Sequence, residues 1–428
     1  MLHQAVRRKV AWRILPLMFA LYIISYLDRA NVGFAKLRMQ QDLELSNRAF
    51  GIGVGIFYAG YLLLEIPGAI LVDRWSARKW FMRILISWGV CSMAMALVRT
   101  PAQFYLVRFL LGLAEAGFFP GVIVYLTHWF PRADRAKAFA GLILAVPLSL
   151  ALGARASGWL LEHNLPHFSG WQLVFLAEGA PAVLIGLALP FLMTDRPRHA
   201  RWLTLEERTW LENALEKERI EREALGTQSW RQVLRRPAVW LLALSIFATN
   251  TGGIALSIWL PSAMKDLIRQ FKPHVTDPEV LNWTGLIFLF AVAGVWVSGR
   301  TSDRFQERKW HCVAGKSLSG VFLALSLWPG LPWPIRLTFL CVMGFFVLFW
   351  APPFWALPSL TLPPTALAVA IGFINIWANI AGGVGSPIVG AMKDAGLSDM
   401  HCMLFLALCY AAGAAIIAVL RVPRSPVK

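Results

Sequence analysis

Four ionisable residues stand where apolar runs leave them little water. Asp28 and Arg29 are adjacent near the outer end of the first such run, and Arg108 and Glu115 are seven residues apart in the fourth. Seven residues are about two helical turns, so Arg108 and Glu115 share one face. A charge inside a bilayer costs several kcal/mol and marks a candidate functional site. A basic group there can hold an anion while a carboxylate exchanges a proton. The competing reading is structural: an interfacial Asp28–Arg29 pair, and an ion pair between helices for Arg108 and Glu115. Glu65, Arg155 and Glu178 are further acids and bases within apolar runs, with packing, capping or snorkelling as equally good explanations. Asn375 and Asn379 lie one turn apart in the eleventh run, and Tyr58, Tyr61 and Trp355 could line a pocket or belong to an aromatic belt.

These residues need helices to position them. The chain has 428 residues, 57% hydrophobic and 15% charged, against about 25% charged in a soluble domain. Each span takes roughly 20 apolar residues, so about twelve fit. In lipid an apolar run must be helical to satisfy its own backbone. The expected architecture is therefore an all-α polytopic membrane protein of twelve transmembrane helices in two six-helix bundles. One polar segment, 194–236, interrupts the rhythm with Glu206, Glu207, Glu212, Glu216, Glu218 and Arg219, and reads as a solvated cytoplasmic linker helix. It divides the chain into an N-terminal bundle, 1–193, and a C-terminal bundle, 237–428. An internal echo supports the division: Gly68-Ala-Ile-Leu-Val-Asp73-Arg74 and Gly299-Arg-Thr-Ser-Asp303-Arg304 each end the second span of their half.

The formal charge is +17. The basic residues cluster between apolar runs, including Arg74, Arg78, Lys79, Arg132, Arg135, Lys137, Arg300, Arg304, Arg308, Lys309, Arg421, Arg424 and Lys428. That is the placement of cytoplasmic loops and puts both termini inside. The presumed outer loops hold fewer, among them Lys36, Arg38, Lys265 and Lys393. No nucleic-acid partner follows from this distribution, and no cleavable signal peptide precedes the first span. Cys91, Cys312, Cys341, Cys402 and Cys409 have no metal spacing and read as small packing residues. Gly315-Lys316-Ser317 resembles the end of a phosphate loop, but Trp310 stands where its first glycine belongs. His163 and His167 flank Pro166 in a loop, and no hydrolase motif is present. The expectation is no enzyme, no cofactor and no metal.

The strings Tyr26-Leu-Asp28-Arg29-Ala-Asn31, Arg108-Phe-Leu-Leu-Gly112-Leu-Ala-Glu115-Ala-Gly-Phe-Phe-Pro120 and His128-Trp-Phe-Pro131 resemble the anion:cation symporter branch of the major facilitator superfamily, the tartrate, hexonate and phthalate permeases. Phe354-Trp355-Ala-Leu-Pro358 and Asn375-Ile-Trp-Ala-Asn379-Ile-Ala-Gly382-Gly383 extend the resemblance through the second half. It implies alternating access by a monomer in a bacterial inner membrane, with proton-coupled uptake of a small organic anion such as a sugar acid, a tartrate-like dicarboxylate or an aromatic acid. It further implies that Arg29 engages the substrate carboxylate, that Asp28 and Glu115 carry proton coupling, and that Arg108, counted with the substrate-binding residues, helps hold Glu115 or gates the site. Tyr61, Trp355, Asn375 and Asn379 would shape the pocket, and Asp73, Arg74, Asp303 and Arg304 the cytoplasmic gates. The sequence departs from the family pattern at Ala69, Ser76 and Arg155, and Arg155 as a second central cation would favour a dicarboxylate. The alternatives are an exchanger or exporter of another small solute on the same fold, and a non-transporting membrane sensor.

Overall fold

The computed structural model describes residues 2–226 and 228–422; Arg424 and Lys428 lie outside them. The described residues form helices joined by loops, with one isolated bridge, Leu165–Phe168. The first half contains α1 (Leu2–Asp42), α2 (Asn47–Arg74), α3 (Ala77–Ala94), α4 (Pro101–Glu115), α5 (Phe118–Thr127), α6 (Arg132–Ile143), α7 (Ala145–Glu162) and α8 (Gly170–Leu192). Next come α9 (Leu205–Leu225) and the short α10 (Trp230–Leu234). The second half contains α11 (Pro237–Arg269), α12 (Asp277–Arg304), α13 (Lys309–Ser326), α14 (Trp333–Val347), α15 (Ala351–Thr361), α16 (Leu367–Asp394) and α17 (Asp399–Val419).

Eleven helical stretches among the described residues are long and apolar enough to cross a membrane. The one expected span not among them is the ninth, which coincides with α13, whose first half carries Lys309, His311 and Lys316 and is correspondingly more polar. Large apolar side chains such as Leu63, Leu184, Phe191, Trp296 and Leu408 face outward, as a lipid-facing surface requires.

A one-residue break at Leu144, between α6 and α7, falls in the fifth span of the first half, and the fourth span of each half is broken into two helices. The first runs Pro101–Thr127 as α4 and α5, which part at Ala116 and Gly117. Gly117 takes φ 83°, where a side chain would be strained, and a Cβ there would come within 2.7 Å of the Gly68 Cα on α2. The second runs Trp333–Thr361 as α14 and α15, which part at Leu348–Trp350, ahead of Pro352 and Pro353. Interrupted helices at matching places in two repeats are a pointer to a transporter's binding site.

Between the halves, α2 runs along α16, α7 along α12, and α1 meets α11. A Cβ at Gly51 would lie 2.5 Å from the Ser386 carbonyl oxygen, so glycine is what lets α2 and α16 approach this closely. Besides a contact of Glu65 on α2 with Asn375 and Asn379 on α16, polar ties between the halves gather at one end. Asp277 accepts from Arg38 (2.8 Å) and Lys265 (2.6 Å), and Asp394 accepts from the backbone N–H groups of Asn47 (3.1 Å) and Arg48 (2.8 Å) at the start of α2. Asp394 there meets the positive end of a helix. Lys36, expected in an outer loop, is instead inside α1 and buried; its ammonium lies 3.8 Å from the Trp259 ring centroid and donates to Ser262 (3.2 Å). The helix continues past the apolar run to Asp42, and α11 packs against it.

The polar segment departs from a freely solvated linker. Thr204 and Glu207 form a capping box that starts α9. Lys9 of α1 donates to Glu207 (2.7 Å), and Glu218 accepts from the Arg132 N–H at the start of α6 (2.7 Å). Thus α9 docks on the first half through its charges.

Candidate functional site

A cavity of about 210 Å³ lies between the halves. Its wall includes Ser25 and Arg29 of α1, Tyr58 and Tyr61 of α2, Phe118 and Phe119 after the first helix break, Trp350 and Trp355 around the second, and Asn375 and Asn379 of α16. Both broken fourth spans therefore contribute their interruptions to the same space.

Arg29 is the cation of this wall. Its Nε donates to Glu115 Oε1 at 2.7 Å, and the Ser25 hydroxyl donates to the same oxygen at 2.8 Å. Glu115 is the last residue of α4 and is fully buried, and its Oε2 has no hydrogen-bond partner. The Arg29 guanidinium faces the rings of Tyr26, Phe57 and Tyr61, the last at 4.9 Å. Such aromatic walls hold a planar cation while leaving its hydrogen-bonding edges directed into the plane.

Asp28, next along α1, points away from the cavity wall. It is fully buried and accepts from Asn31 (3.2 Å) and from the Ser92 hydroxyl of α3, while its Oδ2 has no partner. Arg108 is also buried, but it neither lines the cavity nor pairs with Glu115. Its Nε donates to the Gly53 carbonyl (3.3 Å) and its guanidinium lies 4.9 Å from the Phe57 ring. Arg108 thus makes no hydrogen bond to Glu115, whose Oε1 is taken by Arg29 and Ser25, and the Phe57 ring lies against both the Arg108 and the Arg29 guanidiniums. Glu178 is a further buried acid, accepting from Ser157 (2.8 Å).

Arg155 corrects the expectation of a second central cation: it is exposed on the outside of α7. Ser157 and Gly158 occupy the inward face of that helix. The unforeseen intramembrane cation is Lys316 of α13, fully buried, donating to the Ser245 hydroxyl at 2.6 Å and lying 4.9 Å from the rings of Trp350 and Phe354. Its sequence context had matched only a failed phosphate loop. Tyr22, Ser25, Asn250 and Tyr410 were also missed on the cavity wall. Ser25 and Asn250 carried a signal, being polar residues in otherwise apolar runs.

At the end opposite Asp277, Asp73 is exposed and meets His128 Nε2 at 3.0 Å and Arg196 at 3.7 Å, while Arg196 also donates to the Asp73 carbonyl (2.9 Å). Burial first, and the Arg196 charge second, push the His128 pKa below its ordinary value, against the opposing pull of Asp73. The neutral ring therefore donates to Asp73 at pH 7. In the second half, Asp303 pairs with Arg308 (2.6 Å). Arg74 and Arg304 are exposed beside these aspartates. Among the described residues no cluster could hold a metal ion.

The family model described as Major Facilitator Superfamily matches residues 18–386. A protein of Agrobacterium vitis named "Putative tartrate transporter" is 40% identical over 92% of this chain and 86% of its own length. The "Inner membrane transport protein RhmT" of Escherichia coli (strain K12) is 36% identical over 98% and 96%. The "Quinolone resistance transporter" of Acinetobacter baumannii is 35% identical over 91% and 88%. Among solved structures, the D-xylose–proton symporter aligns with a TM-score of 0.73 at 18% identity over 96% of this chain and 98% of that one, a likeness of fold. With the family model running through both halves and the relatives matching nearly end to end, the chain belongs to the Major Facilitator Superfamily and is a multi-pass membrane transporter, not an enzyme.

Proposed function

We propose that this transporter takes up a small organic anion, a carboxylate, together with protons. The observation that carries the reading is Arg29, a cation on the wall of an inter-bundle cavity, engaged by the proton-exchanging candidate Glu115. An anion entering a low-dielectric cavity needs a counter-charge, and a guanidinium gives charge-assisted bonds to a carboxylate. With Glu115 ionised, Arg29 is occupied. Protonation of Glu115 cancels that pair and frees the guanidinium for substrate, so proton and anion load together. Asp28 is a second proton site behind the wall. Tyr61, Trp355, Asn375 and Asn379 bound the substrate, and Arg108 holds positive potential behind Phe57. The names of the Agrobacterium vitis relatives agree with a hydroxy-dicarboxylate.

Alternating access then moves residues 1–193 against 237–428, with 194–236 as the connection and Asp73, Arg74, Asp303 and Arg304 at the cytoplasmic gates. The ties at Asp277 and Asp394 close the outer end, as an inward-facing carrier requires. The name of the Escherichia coli relative and the basic loops favour an inner membrane with both termini cytoplasmic, the protein acting as a monomer. The second reading is export of another small solute, an aromatic one, favoured by the aromatic cavity wall and by the quinolone resistance in the name of the Acinetobacter baumannii relative.

The test is uptake of labelled L-tartrate, a sugar acid and an aromatic acid by purified protein in liposomes, with and without an inward proton gradient. Accumulation of one acid only with the gradient supports symport. Flux of none of them by folded, inserted protein removes the carboxylate reading.

A further inference from the structure

Glu65 lies one turn beyond Tyr61 on α2 and is buried, with 4% of its surface exposed. The side-chain amides of Asn375 and Asn379, one turn apart on α16, both donate to a single oxygen, Oε1; the Asn379 bond measures 3.1 Å. The other oxygen, Oε2, is buried and has no hydrogen-bond partner. Both asparagines also line the cavity. A carboxylate belonging to the protein therefore already occupies the amide donors that face a ligand. A buried carboxylate with one oxygen unsatisfied is poorly compensated, so the contact is open to exchange.

We propose that Glu65 is an internal competitor for the substrate: it holds Asn375 and Asn379 in the empty transporter, and an entering organic anion displaces it from them. This rests on the carboxylate reading above and narrows the substrate class. A ligand that displaces Glu65 while engaging Arg29 needs acceptors at two ends, one towards α1 and one towards α16. A hydroxy-dicarboxylate has both. An acid with an apolar tail has one and leaves Glu65 in place. Because α2 and α16 belong to different halves, the exchange also releases a tie between the bundles when substrate arrives.

The experiment is calorimetric binding of L-tartrate, a sugar acid and an aromatic acid to purified wild-type protein and to Glu65→Gln, Glu65→Asp and Asn375→Ala/Asn379→Ala, alone and combined. The expected result is L-tartrate binding tighter by about fivefold in Glu65→Gln. Glu65→Asp keeps the charge but is one methylene shorter, loses the two-amide contact, and should also bind tighter. In the double-asparagine background the gain should shrink by about threefold or more, since the residues act as one unit. If Glu65→Asp behaves as wild type, or the gain persists without the asparagines, charge repulsion alone is at work and displacement is overturned. Weaker binding in both monodisperse Glu65 variants overturns it as well, by making Glu65 a supporting group. Wild-type protein that binds none of the three acids sinks the carboxylate reading itself, and this inference with it.

Discussion

Replacing Arg29 by Lys keeps a positive charge and removes the planar fork set among Tyr26, Phe57 and Tyr61. A lysine is a compact point charge and cannot reproduce that geometry. Losing a charge-assisted bond of about 1.5–3 kcal/mol predicts a KM for the transported acid raised about 10- to 150-fold in liposome uptake. An unchanged KM would remove Arg29 from the substrate contact. At this scale the sequence was readable where a residue stood out chemically: Arg29, Tyr61, Trp355, Asn375 and Asn379 all reach the cavity wall. It was unreadable where only helix rotation decides. Each residue turns a helix by about 100°, so in an apolar span Arg155 gives no sign of facing away. Arg108, likewise, carries no mark of the Phe57 ring that it packs against.

At the scale of elements, the helices were legible because lipid leaves an apolar run no alternative. Their interruptions were not. Gly117 and Pro352–Pro353 sit in runs where such residues are tolerated, and what makes each break is packing, as with Gly68 beneath Gly117. The docking of α9 was also hidden, since Lys9 and Glu207 are far apart in sequence. The α2–α3 turn carries a pH dependence through His128, just beyond the end of α5. Its depressed pKa means the folded state resists the proton that the unfolded chain accepts below about pH 6.5. The stability from neutral His128 is therefore full above that pH and is lost as pH falls towards the folded-state value. Thermal unfolding of wild type and His128→Gln between pH 8 and pH 5 should show the wild-type advantage shrinking on acidification. A growing advantage would mean that a charged His128–Asp73 pair dominates.

For the whole molecule, the repeated Asp-Arg ends and the polar linker made two bundles legible, whereas the conformation was not, because it depends on which end's ties are made. Asp277 joins Arg38 of one half to Lys265 of the other. Asp277→Asn should weaken the outer closure by about 1–3 kcal/mol and shift the population outward about 5- to 150-fold. With the native cysteines replaced, a cysteine at the cavity residue Ser257 should then react faster with an impermeant thiol reagent added outside. An unaltered rate would show that the closure does not depend on this aspartate.

Proton coupling through Glu115 is the central claim of this account. Its most direct test is the alkalinisation of the external medium when a transported acid is added to liposomes containing wild-type protein or Glu115→Gln. The account predicts substrate-driven proton uptake by wild type and none by Glu115→Gln, which should still exchange labelled for unlabelled acid. Equal proton uptake by both proteins would contradict it.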